Sequence, residues 1–185
     1  MTGTERGWAL ARLLEVHDGI RADLATLERA VAALDGGEPD PAPAAAALAD
    51  LSFRRPGWSL RAFCAEFCGF IHDHHSVEGA VVFPSVLRFA GDRPGLREAV
   101  ARLRAEHDQL AAYADEAERA VAALPGEAGA AVAARAAIGR LADHLTAHLA
   151  YEEESLAGAL NEMSRRVTPE QLGVPEPPPG HVASR

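Results

Sequence analysis

The chain has 185 residues, enough for a single domain with its own core. Hydrophobic residues make up 48% but aromatics only 5%; alanine and leucine supply the apolar content, which favours helix over sheet. A formal net charge of −9 argues against nucleic acid or an anionic membrane as partner. The two cysteines, Cys64 and Cys68, are too few for a disulfide framework, and a reducing cytoplasm is the expected compartment. The opening stretch MTGTERGWALARLLEVHDG lacks the uninterrupted apolar core of a signal peptide, and no apolar run approaches a membrane span.

Leu10, Leu13, Leu14, His17, Ile20, Leu24, Leu27, Val31 and Leu34 recur at spacings of three and four, which predicts an amphipathic helix from about Ala9 to Leu34. Asp35-Gly36-Gly37 stops it, and the Pro/Ala-rich stretch from Pro39 to Asp50 reads as a connection with room for a short helix. After the turn signal Arg55-Pro56-Gly57, Ser59 is a candidate cap for a second helix. Its stripe is Leu60, Phe63, Cys64, Phe67, Ile71, His74, Glu78, Val81 and Val82. Pro84 bends or ends that helix, or leaves a kinked continuation to Phe89.

Gly91-Asp92-Arg93-Pro94-Gly95 separates the two halves of the chain. A third helix carries Val100, Leu103, His107, Leu110, Ala111, Ala114 and Val121 and closes at Pro125-Gly126. The fourth runs from about Ala130 to Met163 with Ile138, Leu141, Leu145, His148, Leu149, Glu152, Leu156 and Leu160 on its stripe. Strand signals are absent, and short turns between long helices predict an all-α, up-down-up-down antiparallel four-helix bundle over residues 1–166. The proline-rich segment 167–185 reads as a disordered tail.

Histidine and glutamate do not belong on apolar stripes unless something satisfies them. Each helix nevertheless places a histidine there: His17, His74, His107 and His148. Two of them carry a glutamate one turn on, as His74-x-x-x-Glu78 and His148-x-x-x-Glu152, where residues lie about 40° apart and offer a nitrogen and an oxygen to one ion. With successive helices antiparallel, the four positions fall within about 5 residues of one level, roughly 7.5 Å along the bundle. Two carboxylates among histidines suit two metal ions better than one. Imidazole and carboxylate without thiolate favour iron or manganese, with zinc a further option.

The segments Leu14-Glu15-Val16-His17-Asp18, His74-His75-x-x-Glu78 with Phe83-Pro84, Glu106-His107-Asp108 and His148-x-x-x-Glu152-Glu153 resemble the hemerythrin-like HHE cation-binding family over about residues 9–163. The resemblance implies a bundle holding two iron ions joined by an oxo or hydroxo bridge. Such a centre binds or reacts with O2, peroxide or nitric oxide, or senses iron or oxygen. It further implies His17, His74, Glu78, His107, His148 and one acid of the fourth helix as ligands, with Glu78 and that acid bridging. The family's oxygen carriers place the acid five residues after the histidine, here Glu153, but Glu152 lies nearer the apolar centre of the helix and is the preferred reading.

Those carriers also place two histidines one turn apart on the third helix, whereas His107 has Leu103 and Ala111 at those positions. His75, His144 or water would have to replace the missing nitrogen. His75 reads equally as a ligand or as an outer orienting group, His144 as an outer or surface group, and His72 as facing away. Asp18, Asp108 and Asp143 read as imidazole-orienting or simply solvated acids, Tyr113 and Tyr151 as neighbours of the site, and Cys64 and Cys68 as small core residues. The missing histidine leaves coordination space and directs the reading to a centre that reacts with O2 or peroxide, in the manner of an oxygenase, peroxidase or catalase. The alternatives are a non-enzymatic O2, nitric oxide or iron binder or sensor, and a metal-free helical interaction module.

Overall fold

The computed structural model describes residues 6–34, 59–124 and 129–173. The turn signals at residues 35–37, 55–57 and 125–126, the connection at 39–50 and the end of the tail with His181 lie outside them. Among the described residues there are helices and no strand. Helix α1 spans Trp8–Ala32 and α2 spans Leu60–Val77; a π-helical segment, Glu78–Val82, leads into α3, Phe83–Ala90. Helix α4 spans Leu96–Ala122, α5 spans Ala130–Ser164, and a 3-10 turn covers Glu170–Leu172. Taking α2, the π segment and α3 as one rod, the result is a four-helix bundle.

Contacts between the rods fix their directions. The start of α1 meets the end of α5, where Asn161 accepts from the Gly7 N–H and Ser164 from the Ala9 N–H. At the other end Arg135 near the start of α5 donates to the Leu34 carbonyl. Asp115 and Arg104 of α4 pair with His72 and the Gly79 carbonyl respectively, so α4 runs antiparallel to the second rod. Arg140–Glu116 and His148–Glu106 give the same relation between α4 and α5.

Ser59 caps α2 by accepting from the Ala62 N–H, the role its position predicts. Pro84 does not end the rod, which continues as helix to Ala90. Its missing N–H is accommodated by a π turn, in which Phe83 donates to the Glu78 carbonyl five residues back. Residues five apart on an α-helix point about 140° from each other. The wider π turn lets both Glu78 and Phe83 face the interior, and both are buried.

The apolar interior divides into two clusters. One joins Ile20, Leu24, Leu27, Phe63, Phe67, Ile71, Leu110, Leu141 and Leu145, together with Cys64 and Cys68. The other joins Leu10, Leu13, Phe83, Val86, Leu103, Leu156 and Leu160. Cys64 and Cys68 are free thiols with sulfurs 4.0 Å apart; their mutual contact and burial push the Cys68 thiol up. Tail residue Val167 extends the second cluster, and its carbonyl accepts from the Trp8 indole at 3.0 Å. Along the chain, residues 17, 74–78 and 107 fall between the two clusters and 148–152 start at the edge of the first, and that band holds the polar groups. No helix among the described residues is long and apolar enough to cross a membrane.

Candidate metal centre

Every rod contributes to the band. Glu78 is its hub: one carboxylate oxygen lies 3.1 Å from His74 Nε2 and 3.9 Å from His17 Nε2, and the other lies 3.4 Å from His107 Nε2. Glu152 enters from the opposite side, with Oε2 3.6 Å from His17 Nε2 and 3.7 Å from His148 Nε2. The donors sort into two groups, His17, His74 and Glu78 in one and His75, Glu78, His107 and His148 in the other, each with its donor atoms within 4.8 Å of one another. Glu78 is common to both groups, and Glu152 stands between His17 of one and His148 of the other.

These atoms have no hydrogen-bond partners. The Nε2 atoms of His17, His74, His75, His107 and His148 and all four carboxylate oxygens of Glu78 and Glu152 are buried and unpaired. Each such group costs about 1–3 kcal/mol if left unsatisfied. Nine converging on one point is the pattern of a cation cage rather than of a packed core.

The outer face of the cage is hydrogen-bonded. His17 donates from Nδ1 to Glu153 at 2.9 Å, and Arg21 holds that carboxylate at 2.7 Å. His148 donates from Nδ1 to Glu106 at 2.8 Å, and Arg102 holds that carboxylate at 2.7 Å while lying 3.7 Å over the Tyr151 ring. With the proton fixed on Nδ1, each Nε2 presents a lone pair inward, the tautomer a ligand needs.

Electrostatics agree with a site short of positive charge. Burial, then the neighbouring Glu78, pushes the Glu152 carboxyl up to about 10. Glu78 goes the other way: burial opposes ionisation, but His107, His17 and His74 outweigh it and hold its carboxyl low. Burial brings His74 down to about 4 and His75 to about 2, and it lowers His148 against the pull of Glu106, so these imidazoles are neutral. The neutral imidazoles supply lone pairs and Glu78 the negative charge, while the neutral Glu152 carboxyl would become a second carboxylate only with a cation beside it.

The structure brings His17, His74, Glu78, His107, His148 and Glu152 together. It also brings in His75, whose ring stacks on His107 with centroids 4.0 Å apart. Glu153 stands behind His17 as an orienting group. His144 is exposed and stacks on Tyr113 at 4.6 Å, away from the band, and His72 faces Asp115 on the surface. Asp18 pairs with Arg21; no hydrogen bond or ion pair joins Asp108 or Asp143 to a histidine among the described residues. The roles of Glu106, Arg102 and Arg21 are not legible in the sequence: Glu106 appears there only beside His107 in the Glu106-His107-Asp108 segment, and the further signals are the i,i+4 spacing of Arg102 and Glu106 and an arginine one turn after His17.

An antiparallel helical bundle with a buried His/Glu cage for cations defines the class of this protein. The family model for the hemerythrin HHE cation-binding domain matches residues 9–160, and the chain belongs to that family. No match was found among curated proteins or solved structures.

Proposed function

We propose that this protein holds two iron ions in the His/Glu cage and uses them to bind and react with O2 or peroxide. The observation that carries the reading is the set of nine buried, unpaired donor atoms. His17 and His74 would serve one ion and His75, His107 and His148 the other, with Glu78 and Glu152 shared. Without thiolate, this donor set suits iron ahead of softer metals, manganese and zinc being the competitors. Bound iron would supply one-electron chemistry and an attachment point for a small ligand, and nine donors do not saturate two octahedral ions. His75 takes up the nitrogen that the third helix lacks, so the open position no longer rests on a missing histidine.

The chain's own contribution is preorganisation. The Arg21–Glu153 and Arg102–Glu106 pairs orient His17 and His148 and make them stronger donors. The two apolar clusters exclude water from both ends of the cage.

The test is iron content and oxygen reactivity. Protein loaded anaerobically should carry close to two irons per chain. His74→Ala and Glu78→Ala should lose them, and the surface variants His72→Ala and His144→Ala should not; equal retention in all four sinks the ligand assignment. On mixing the reduced protein with O2, rapid decay to a ferric product supports reaction. A coloured adduct that reverses under vacuum supports carriage instead. A milder effect is expected for Glu106→Gln, which keeps the shape but weakens the hold on His148: iron affinity should fall by about 10–100-fold. An unchanged affinity in a chelator competition would remove Glu106 from the centre.

A further inference from the structure

Beyond the second apolar cluster, where α3 turns into α4 and α5 finishes, a recess of about 540 Å³ opens at the end of the bundle. Four guanidiniums from separate stretches of chain line it: Arg88 of α3, Arg93 of the connection, Arg97 of α4 and Arg166 just past α5. The acids of its lining are Asp92 and Glu162, which leaves two positive charges (4 − 2) on a chain whose net charge is −9.

The pairing inside the recess is incomplete. Glu162 serves two arginines at once, 2.5 Å from Arg166 and 3.7 Å from Arg93. Arg88 lies 5.3 Å from the ring of its neighbour Phe89, and no ion pair engages Arg88 or Arg97 among the described residues. Arg93 is seated: its guanidinium occupies a notch over Gly158 in α5, where a methyl group would collide with it. Glycine inside a helix is less stable than alanine, so α5 gives up helix stability where this arginine lies.

Guanidinium forks match the oxygens of a phosphoryl group, which accept paired, charge-assisted hydrogen bonds. Coming from four stretches of chain, the arginines meet a ligand from several directions, which fits a tetrahedral oxyanion better than a planar carboxylate. Leu87, Phe89 and Pro94 add apolar wall, and the volume exceeds that of a bare anion.

We infer that this recess binds a dianionic phosphoryl group, carried by a small phosphate monoester whose organic part lies on Leu87, Phe89 and Pro94. The second apolar cluster separates it from the His/Glu cage, and it does not depend on which metal the cage holds.

Phenyl phosphate and inorganic phosphate are the probes, titrated into the full chain in chloride buffer and followed by calorimetry and amide chemical shifts. The shifts should centre on residues 88–97 and 162–166, with the monoester binding several-fold tighter than free phosphate. Equal affinities would overturn the monoester and leave inorganic phosphate as the ligand. Chelator-treated protein should give the same dissociation constants; binding that disappears with the metal would put the phosphate at the cage and overturn the recess. Arg97→Met and Arg166→Met, both at exposed positions, should each weaken binding by about tenfold or more, and Arg119→Met, far along α4, should not. Gly158→Ala removes no charge but displaces Arg93, so affinity should fall by roughly threefold to tenfold while the unfolding temperature holds or rises. Parent affinity in both Arg97→Met and Gly158→Ala, or shifts scattered over the surface arginines, would overturn the site.

Discussion

Loading the protein with iron should raise its unfolding temperature by roughly 8–16 °C, and a chelator should reverse the rise. A cation that binds the folded cage and not the unfolded chain adds about 4 kcal/mol when present at about 1,000 times its dissociation constant. For a chain of this length each kcal/mol is worth about 2–4 °C. The gain should come from the centre of the bundle, because the unpaired donors lie between the two apolar clusters and on all four rods. Without the cation, the carboxyl groups of Glu78 and Glu152 and the lone pairs of five imidazoles face one another in a dry interior, where Glu152 is driven to its neutral form. Calorimetry of the metal-free and iron-loaded forms tests this. Identical transitions with iron demonstrably bound would mean that the donors are satisfied in some other way.

Much of the site was legible because helical periodicity is a strong signal and ligand residues violate it conspicuously. His17, His107, His148 and Glu152 stand at apolar positions of their helices, and only the helix period is needed to see that they point inward. The preference for Glu152 over Glu153 came from the same angular argument, and the structure puts Glu152 inside and Glu153 behind His17. His74 and His75 were harder. Neighbouring residues diverge by about 100° on a helix, so periodicity nominates one of the two. In the bundle the interior direction falls between them, and both reach the cage.

What escaped was whatever depends on a neighbouring helix. Glu106 sits beside His107 in sequence but serves His148 on α5, and nothing local to α4 announces that partner. The π turn was equally hidden: Pro84 removes one N–H, and the chain can answer by ending, kinking or widening the helix. Packing chose the last, because Glu78 and Phe83 both needed to be inside. Helix ends moved only slightly, α1 running from Trp8 to Ala32 rather than Ala9 to Leu34.

Replacing Glu152 should separate stability from binding. In the metal-free protein this carboxyl is fully buried, has no hydrogen-bond partner on either oxygen and is pushed up to about 10. Leucine has similar volume and would sit among Leu145, Leu149 and Leu156, all fully buried. Glu152→Leu should therefore stabilise the chelator-treated protein by about 1–3 kcal/mol, the cost of the buried carboxyl that it removes. The same variant should lose the iron-dependent rise in unfolding temperature, since one shared carboxylate is gone. Glu153→Leu should behave oppositely. It takes the acceptor from His17 Nδ1 and the partner from Arg21, so the metal-free form should weaken while iron binding survives at about 10–100-fold lower affinity. The two neighbouring glutamates thus give changes of opposite sign in one measurement, thermal unfolding with and without iron. If both variants destabilise the metal-free form equally, Glu152 is not an unsatisfied group awaiting a cation, and the cage itself is misread.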